Sequence, residues 1–305
     1  MRTTVGRFLY MEVLAMGASE PIRIKQAKTY EQQLDILKNR GIEVTDSQEA
    51  IASLKRINYY RLTAYGLTLK DGQQDQYRPD TTFNQLVALY EFDKKLRQLL
   101  IGVIESIEIA FRTHIAYHHA HTYGPLGYKE AKHFNSPVYH EKFLTNLDRF
   151  FKDNKTELFV AHHQSKYQGV FPIWVAVEVL SFSTLSMLFK NLKNKDKSVI
   201  SKEYYNVPFV YMQSWLHTLT TIRNTCAHHG RLYGKKLTIR PKLFDDMQEK
   251  IQNDEVFAAI LIACKLLNAK ERAVFIDSLA LLIEEYRDYV DTRHIGFPSD
   301  WENWL

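Results

Sequence analysis

The residues best suited to chemistry lie close together between positions 222 and 231. This stretch reads Ile-Arg-Asn-Thr-Cys-Ala-His-His-Gly-Arg. RNA can be cleaved without a metal ion when one group takes the 2′-OH proton, a second protonates the leaving 5′-oxygen, and a fixed cation stabilises the charge that gathers on phosphorus. Histidine and arginine suit these roles. The stretch is therefore a candidate site for metal-independent cleavage of RNA.

The stretch is predicted to close a helix. Apolar residues recur at helical spacing through positions 210–222, and Gly230 is a plausible helix stop. One face of this helix is expected to belong to the core, and it carries Trp215, Leu219, Ile222 and Cys226. The opposite face is polar, and it carries His217, Thr220, Asn224, His228 and Arg231. A polar face can be a solvated surface or can line a site, and the chemistry above favours a site.

Two residues of the stretch lie outside this polar face. Arg223 lies about 100° around the helix from Asn224, so it meets His228 only across a cleft or in a frayed last turn. His229 lies nearer the apolar face. For His229 the pattern favours a core histidine with a satisfied ring.

A long helix is predicted from about position 82 to 117, and a charged line runs along its apolar surface. Glu108 and Arg112 are in the favourable order for an i, i+4 pair, and Glu105 shares their line. Such a line faces either solvent or a functional cleft. A composite site in which Arg112 acts with His118 or His119 also stays open.

Two other segments have side chains that suit nucleic acid. Tyr59, Tyr60 and Arg61 could stack on bases, or could simply pack at a helix junction. Positions 190–197 are rich in lysine and could contact phosphates, although such a run is more often a solvated loop.

We predict no metal site and no cofactor. Histidines cluster at positions 118–121 and 162–163, but adjacent histidines on a helix point about 100° apart, and no HExxH motif accompanies them. Cys226 and Cys264 lie in apolar helical patterns without CxxC spacing, which is consistent with a reducing cytoplasm.

The fold is predicted to be all-α. The 305 residues are 45% apolar and carry a net charge of only +5, which permits a polyanionic partner without requiring one. Segments with period-two alternation are almost absent, and further helices are predicted near 29–41, 46–62, 136–153, 157–167, 174–189, 242–267 and 269–291. No apolar run reaches the roughly 20 residues of a membrane span.

Several short segments between residues 28 and 235 form a recognisable series. In order they are Tyr-Glu-Gln-Gln-Leu at 30, Asn-Arg-Gly at 39, Ile-Asn-Tyr-Tyr-Arg-Leu at 57, Leu-Tyr-Glu-Phe-Asp-Lys-Lys-Leu-Arg at 89, Ile-Glu-Ser-Ile-Glu-Ile-Ala-Phe-Arg at 104, Pro-Ile-Trp at 172, Glu-Val-Leu-Ser-Phe at 178, and the stretch at 222–231. Together they are similar to the Abi family of bacterial phage-resistance proteins, of the abortive-infection D and F type. The sequence Arg-Asn-Thr-Cys-Ala-His at 223–228 also matches the R-x4-H signature of the HEPN ribonuclease superfamily.

The resemblance implies a defence nuclease or toxin that damages RNA and so halts phage growth. Arg223 and His228 would be the catalytic pair, and Asn224 the polar partner beside the arginine. Glu108 and Arg112 would lie on the helix facing the motif, and we place Arg231 with them as a supporting residue. A homodimer would bring the two 222–231 helix ends together. A small non-coding RNA or an antitoxin is a further expected partner.

The expected layout is a HEPN-like helical core at 76–240. It is preceded by a tail at 1–27 that is a candidate for disorder and by a small helical region at 28–75, and it is followed by a helical extension at 241–305. Two other functions stay open. One is a non-catalytic RNA-binding module that holds a small partner RNA through Tyr59, Tyr60 and Arg61; the other is a protein-binding helical scaffold.

Overall fold

The computed structural model describes residues 24–72 and 75–305, and these residues form an all-α fold as predicted. Most of the predicted tail, residues 1–23, lies outside the described residues, and residues 24–29 have no regular structure. The helices of the described part are α1 (Tyr30–Asn39), α2 (Ser47–Arg56), α3 (Tyr59–Tyr65), α4 (Phe83–Tyr123), α5 (Pro137–Asp153), α6 (Leu158–Lys166), α7 (Ile173–Ala176), α8 (Phe182–Asn191), α9 (Asn194–Tyr205), α10 (Phe209–Ala227), α11 (Asp245–Gln248), α12 (Val256–Leu266) and α13 (Ala269–Glu285).

Helix starts follow the local sequence. Thr29 and Asn268 each form a capping box, in which the cap side chain and the side chain three residues later satisfy one another's backbone amides. Asp46, Thr82 and Ser181 accept hydrogen bonds from amides of the first turn of α2, α4 and α8. These caps explain why the helices predicted from about 29, 46, 82 and 269 start within one residue of those positions.

The long helix α4 is the central element of the fold. It has 41 residues, and its buried stripe includes Phe92, Leu96, Ile107, Phe111 and Ile115. Helices α10 and α13 both pack against it, and α12 is buried almost throughout its length. The charged line of α4 and the motif helix α10 are therefore neighbours.

The prediction of one buried helix over 174–189 was wrong. The chain instead forms the short helix α7, a 3-10 turn at Val177–Val179 and then α8, and Trp174 is exposed. Ser181 caps the new helix, and the carbonyl of Leu180 accepts a hydrogen bond from Arg112 of α4 at 2.7 Å. The break therefore depends on a contact from a distant part of the chain.

Smaller differences occur at helix ends. Helix α4 continues six residues past the predicted end at 117, and α13 ends at Glu285 rather than near 291. The lysine-rich run at 190–197 is not a solvated loop, because α9 begins at Asn194 and both Asp196 and Lys197 are buried. Within residues 24–72 and 75–305, no helix combines the length and the apolar character that crossing a membrane requires.

Candidate functional site

The motif lies at the C-terminal end of α10, as predicted, and a defined cap shapes that end. The helix ends at Ala227, and His228 is the capping residue. The amide of Gly230 donates to the carbonyl of Thr225 at 2.7 Å, and the amide of His229 donates to the carbonyl of Cys226 at 3.0 Å. With His229 at φ 56°, this is the Schellman arrangement.

Gly230 is required here for its small size. A Cβ at this position would lie 2.9 Å from Cγ2 of Thr225 and 3.1 Å from its carbonyl oxygen. The left-handed residue that stops the helix is His229, although the sequence pattern indicated Gly230 as the stop. A left-handed backbone costs a residue with a side chain about 1–2 kcal/mol, so the surrounding contacts must hold His229 in place.

The predicted faces of α10 are largely confirmed. Trp215, Leu219, Ile222 and Cys226 are buried. Arg223, Asn224 and His228 are exposed, so all three can reach a ligand. Thr220 is an exception to the predicted polar face, because it is buried and its hydroxyl donates to the carbonyl of Leu216 at 2.8 Å.

The expectation that His229 is a core residue was wrong. Its side chain is exposed, and its backbone carbonyl accepts a hydrogen bond from Nη1 of Arg61 at 2.6 Å. The left-handed turn carries the chain out of the helical register, so a helical wheel does not apply at this position. The end of α10 therefore presents two exposed imidazoles, those of His228 and His229.

Glu108 and Arg112 form the expected ion pair on α4, and this pair faces the motif helix. Both side chains are largely buried. Burial raises the pKa of the Glu108 carboxyl, and the positive charges of Arg112 and Arg223 oppose that rise. The charge of Arg223 thus acts on Glu108, and the pair is largely buried beside the turn before α8.

The terminal nitrogens of Arg112 hold neighbouring groups, whereas its Nε is buried and has no hydrogen-bond partner among the described residues. Its Nη2 donates to the carbonyl of Leu180 at 2.7 Å, and its Nη1 lies 3.7 Å from a carboxylate oxygen of Glu178. The guanidinium therefore connects α4 to the turn before α8. This role suits a supporting residue better than a direct ligand of RNA.

The contacts of His118 and the burial of His119 oppose a composite site with Arg112. Nε2 of His118 lies 3.1 Å from a carboxylate oxygen of the buried Asp196, to which the Tyr123 hydroxyl also donates. His119 is only 1% exposed, and neither of its ring nitrogens has a hydrogen-bond partner among the described residues. Burial lowers the pKa of His119 to about 4.

The chain that follows the motif is anchored by a buried carboxylate that the sequence analysis missed. Oδ1 of Asp93 accepts hydrogen bonds from the amides of Leu232 and Tyr233 at 2.9 and 2.7 Å. Its Oδ2 accepts from the Tyr65 hydroxyl at 2.7 Å and pairs with Arg97. The sequence did contain a signal, because Asp93 and Arg97 form a charged i, i+4 pair inside the apolar stripe of α4. Burial of an ion pair costs desolvation energy, so such a pair indicates a specific structural role.

Helix α3 is joined to the motif by two arginines. Arg61 donates to His229 as described, and Nη1 of Arg231 donates to the carbonyl of Ala64 at 2.8 Å. Tyr60 is 66% exposed, whereas Tyr59 is half-buried and its hydroxyl accepts from Arg40 at 3.0 Å. Of the three residues predicted to bind RNA, Tyr60 and Arg61 are accessible and Tyr59 is partly committed to packing.

A cleft of about 570 Å³ opens beside the end of α10. Its lining includes Ala227 and His229 of the motif together with Arg56, Arg61 and Gln98, but not His228. Within residues 24–72 and 75–305, no group of three or more histidine, cysteine, aspartate or glutamate side chains is arranged to hold a metal ion. The side chains at the site can donate hydrogen bonds and transfer protons, which are the functions that phosphoryl chemistry without a metal requires.

Comparison with known proteins identifies one family. The sequence profile described as Abi-like protein matches residues 52–234, which is more than half of the chain. No curated protein and no solved structure matches the chain. The matched range contains α3, α4 and α10 and therefore every residue of the candidate site.

Proposed function

The chain belongs to the Abi-like protein family, and we propose that it is an endoribonuclease that acts in phage defence by abortive infection without a metal ion. Family membership points to abortive infection. The observation that supports cleavage is the exposure of Arg223, Asn224 and His228 at one capped helix end, beside the Glu108–Arg112 pair. The substrate is RNA, and the expected setting is the cytoplasm, where phage transcripts are translated.

The reaction is an internal transfer at phosphorus. The 2′-oxygen forms a bond to phosphorus as its proton passes to a base, and the bond from phosphorus to the 5′-oxygen breaks as that oxygen receives a proton. His228 supplies one of these proton transfers. Arg223 stabilises the charge on the phosphoryl oxygens, and the Asn224 amide orients one of them. The products are a 2′,3′-cyclic phosphate and a 5′-OH.

Four further residues support this geometry. Glu108 and Arg112 form the charged surface that faces Arg223, and Arg231 holds the chain after the motif against α3. Arg61 fixes the backbone of His229, next to His228. We assign these residues to positioning, because each is paired with another protein group.

A second candidate function is a non-catalytic module that holds a small partner RNA. The basic cleft beside the motif favours this alternative equally, because binding needs cations and aromatic faces but no proton transfer. Under either function the partners are RNA and, for control, a small non-coding RNA or an antitoxin. The proposed active unit is a homodimer.

Incubation of the purified protein with a mixed RNA pool in EDTA separates the two functions. We expect the wild-type chain to cleave RNA, to leave 2′,3′-cyclic phosphate ends, and to spare DNA and RNA with 2′-O-methyl groups at the cut site. The His228→Ala chain should be inactive. Strict dependence on magnesium, or cleavage of DNA, would contradict the mechanism, and binding without any cleavage would favour the second function.

A further inference from the structure

The cleft beside the motif is one end of a longer groove. A second cleft, of about 840 Å³, lies between α1, α2 and α3 and the chain that leads into α1. Arg56 and Asn58 line both clefts. The two together, which we call the α1–α3 groove, therefore lead from His229 at the motif to Tyr60 and Lys28.

The α1–α3 groove is basic. Among the described residues, neither cleft is lined by an aspartate or a glutamate. Some of its cations are already paired, since Arg40 contacts Asp75 at 2.6 Å and Lys94 contacts Glu91 at 2.9 Å. Within the described part of the chain, five others have no salt-bridge partner: Lys25, Lys28, Lys55, Arg56 and Arg61. These cations can bind phosphates without breaking a direct salt bridge, and the charges of Lys25 and Lys55 act only at longer range on Asp75 and Glu31.

Tyrosine rings lie between these cations. Tyr30 and Tyr60 are 39% and 66% exposed, and both line the groove. Tyr59 packs edge-on against Tyr60 with ring centroids 5.5 Å apart, which supports the exposed ring from behind. Aromatic faces between phosphate-binding cations are the arrangement with which proteins hold single-stranded nucleic acid.

We propose that the α1–α3 groove binds a single-stranded segment of the substrate RNA and guides it to the motif. This inference rests on the proposed function, because it names the path by which the substrate reaches the end of α10, where Ala227 and His229 line the groove. Duplex RNA fits poorly, since its bases are stacked inside the helix and cannot reach Tyr30 or Tyr60. Arg61 connects the groove to the site, because it lines the cleft and also holds the carbonyl of His229.

Binding can be measured apart from cleavage in the full chain that carries Arg223→Ala and His228→Ala. The probe is a fluorescent single-stranded RNA without internal pairing, compared with the same sequence as a duplex. We expect Tyr60→Ala to weaken binding of the single strand by about fivefold to a hundredfold, the range for removal of one stacked base. Tyr60→Phe keeps the ring and should bind as before.

Lys28→Ala combined with Arg56→Ala tests the cations. We expect weaker binding and a smaller dependence on salt, with the log–log slope reduced by about 0.7 for each phosphate that the variant no longer neutralises. Tyr289→Ala and Lys270→Ala are matched controls, because both residues are exposed and line neither cleft. The controls should leave affinity and salt slope unchanged.

Unchanged affinity in Tyr60→Ala and in the Lys28/Arg56 variant would overturn the proposal, and so would equal affinity for the duplex. The same substitutions in the active chain distinguish a substrate strand from a held partner RNA. A raised KM for cleavage supports the substrate path. Loss of an RNA that co-purifies with the protein, at unchanged KM, overturns it. RNA binding in the groove without any cleavage would contradict the proposed function alone.

Discussion

His228 and Arg223 owe their accessibility to the way α10 ends. The backbone bonds of the cap, and not these side chains, hold the helix end together, because Gly230 and His229 satisfy its last carbonyls. Removal of either side chain should therefore leave the fold intact. Substitution of either residue by alanine can therefore test its role in catalysis without unfolding the helix end.

We predict that Arg223→Ala and His228→Ala each reduce RNA cleavage by about 10²–10⁴-fold, the usual effect of removing an acid–base group or a charge that stabilises the transition state. Both residues are exposed, so stability should change by only about 0.5 kcal/mol. Initial rates and urea unfolding measure the two effects. His217→Ala is the control, because His217 is exposed on the same helix about one and a half turns before the motif. A folded, fully active variant of either motif residue would show that the site is misassigned.

His229 poses a different question, because its imidazole is exposed but its backbone is strained. His229→Gly removes the ring and keeps the left-handed turn, which glycine adopts freely. We predict that this variant retains cleavage within about tenfold, since the second proton transfer is assigned to the other chain of a dimer. The measurement is a single-turnover rate. A loss as large as that of His228→Ala would place both proton-transfer groups in one chain.

At the scale of elements, the junction between Thr225 and Gly230 aligns the motif. We predict that Gly230→Ala lowers cleavage far more than it lowers helix content, because the added methyl must displace Thr225 by a few tenths of an ångström. The cost of such overpacking is about 1–3 kcal/mol. Cleavage rates and circular dichroism are the measurements. Thr225→Ser removes the methyl nearest the new Cβ and should partly restore activity; no restoration would mean that the clash is not the cause.

A second prediction at this scale concerns α4 and its buried His119. Burial holds the pKa of His119 at about 4, against 6.5 for an ordinary histidine, while His133, His118 and His140 add to the shift and Asp196 opposes it. Between these two values the unfolded chain binds a proton that the folded chain does not. Stability should therefore fall as pH falls from about 6.5 to 4, by up to about 3 kcal/mol from this residue.

The check on His119 is urea unfolding across that pH range. His119→Phe cannot titrate and should show a smaller loss of stability at low pH than the wild-type chain. His121→Gln is the control, since His121 is exposed on the same helix and should not alter the pH dependence. Identical pH profiles for His119→Phe and wild type would show that another group is responsible.

Local patterns predicted elements wherever burial of one helix face decides the structure. The apolar stripes of α4 and α10 are examples, because a helix with so long an apolar stripe must pack that face against the core to remove it from water. Prediction failed at Leu180, where the helix break depends on Arg112 from another helix, and at His229, where a turn changes the register. The role of Asp93 could not be predicted from local sequence either, because its partners Leu232 and Tyr233 lie about 140 residues further along the chain.

At the scale of the whole molecule, α4 connects the motif region to the core through three sets of residues. Near its start Asp93 and Arg97 anchor the chain after the motif, in its middle Glu108 and Arg112 face Arg223, and His119 near its end is packed in the core. The α1–α3 groove reaches the same motif at a cleft that α4 also lines, and Arg61 connects the two. The motif thus lies beside both a rigid helix and the proposed path of the substrate.

In the proposed mechanism, His228 of one protomer makes one of the two proton transfers. A second copy of the chain supplies the group that makes the other. Acid–base cleavage is best served by two groups on opposite sides of phosphorus, and a two-fold dimer places equivalent residues near each other. The rival within one chain, Arg112 with His118 or His119, is opposed by the contacts that occupy these side chains and by the burial of His119. We therefore predict a homodimer in which the two 222–231 helix ends face one another.

The cations of two facing motifs repel each other until RNA lies between them, and Glu108 offsets only part of that charge. We expect moderate self-association without RNA, weaker at low salt where screening is least, and a stable dimer with a non-cleavable RNA. Sedimentation measures both states.

An excess of the Arg223→Ala/His228→Ala chain mixed with wild type should suppress cleavage, because most wild-type chains then pair with an inactive partner. A monomer that cleaves RNA at full specific activity, unaffected by the inactive chain, would contradict the dimer and leave His229 as the source of the second proton transfer.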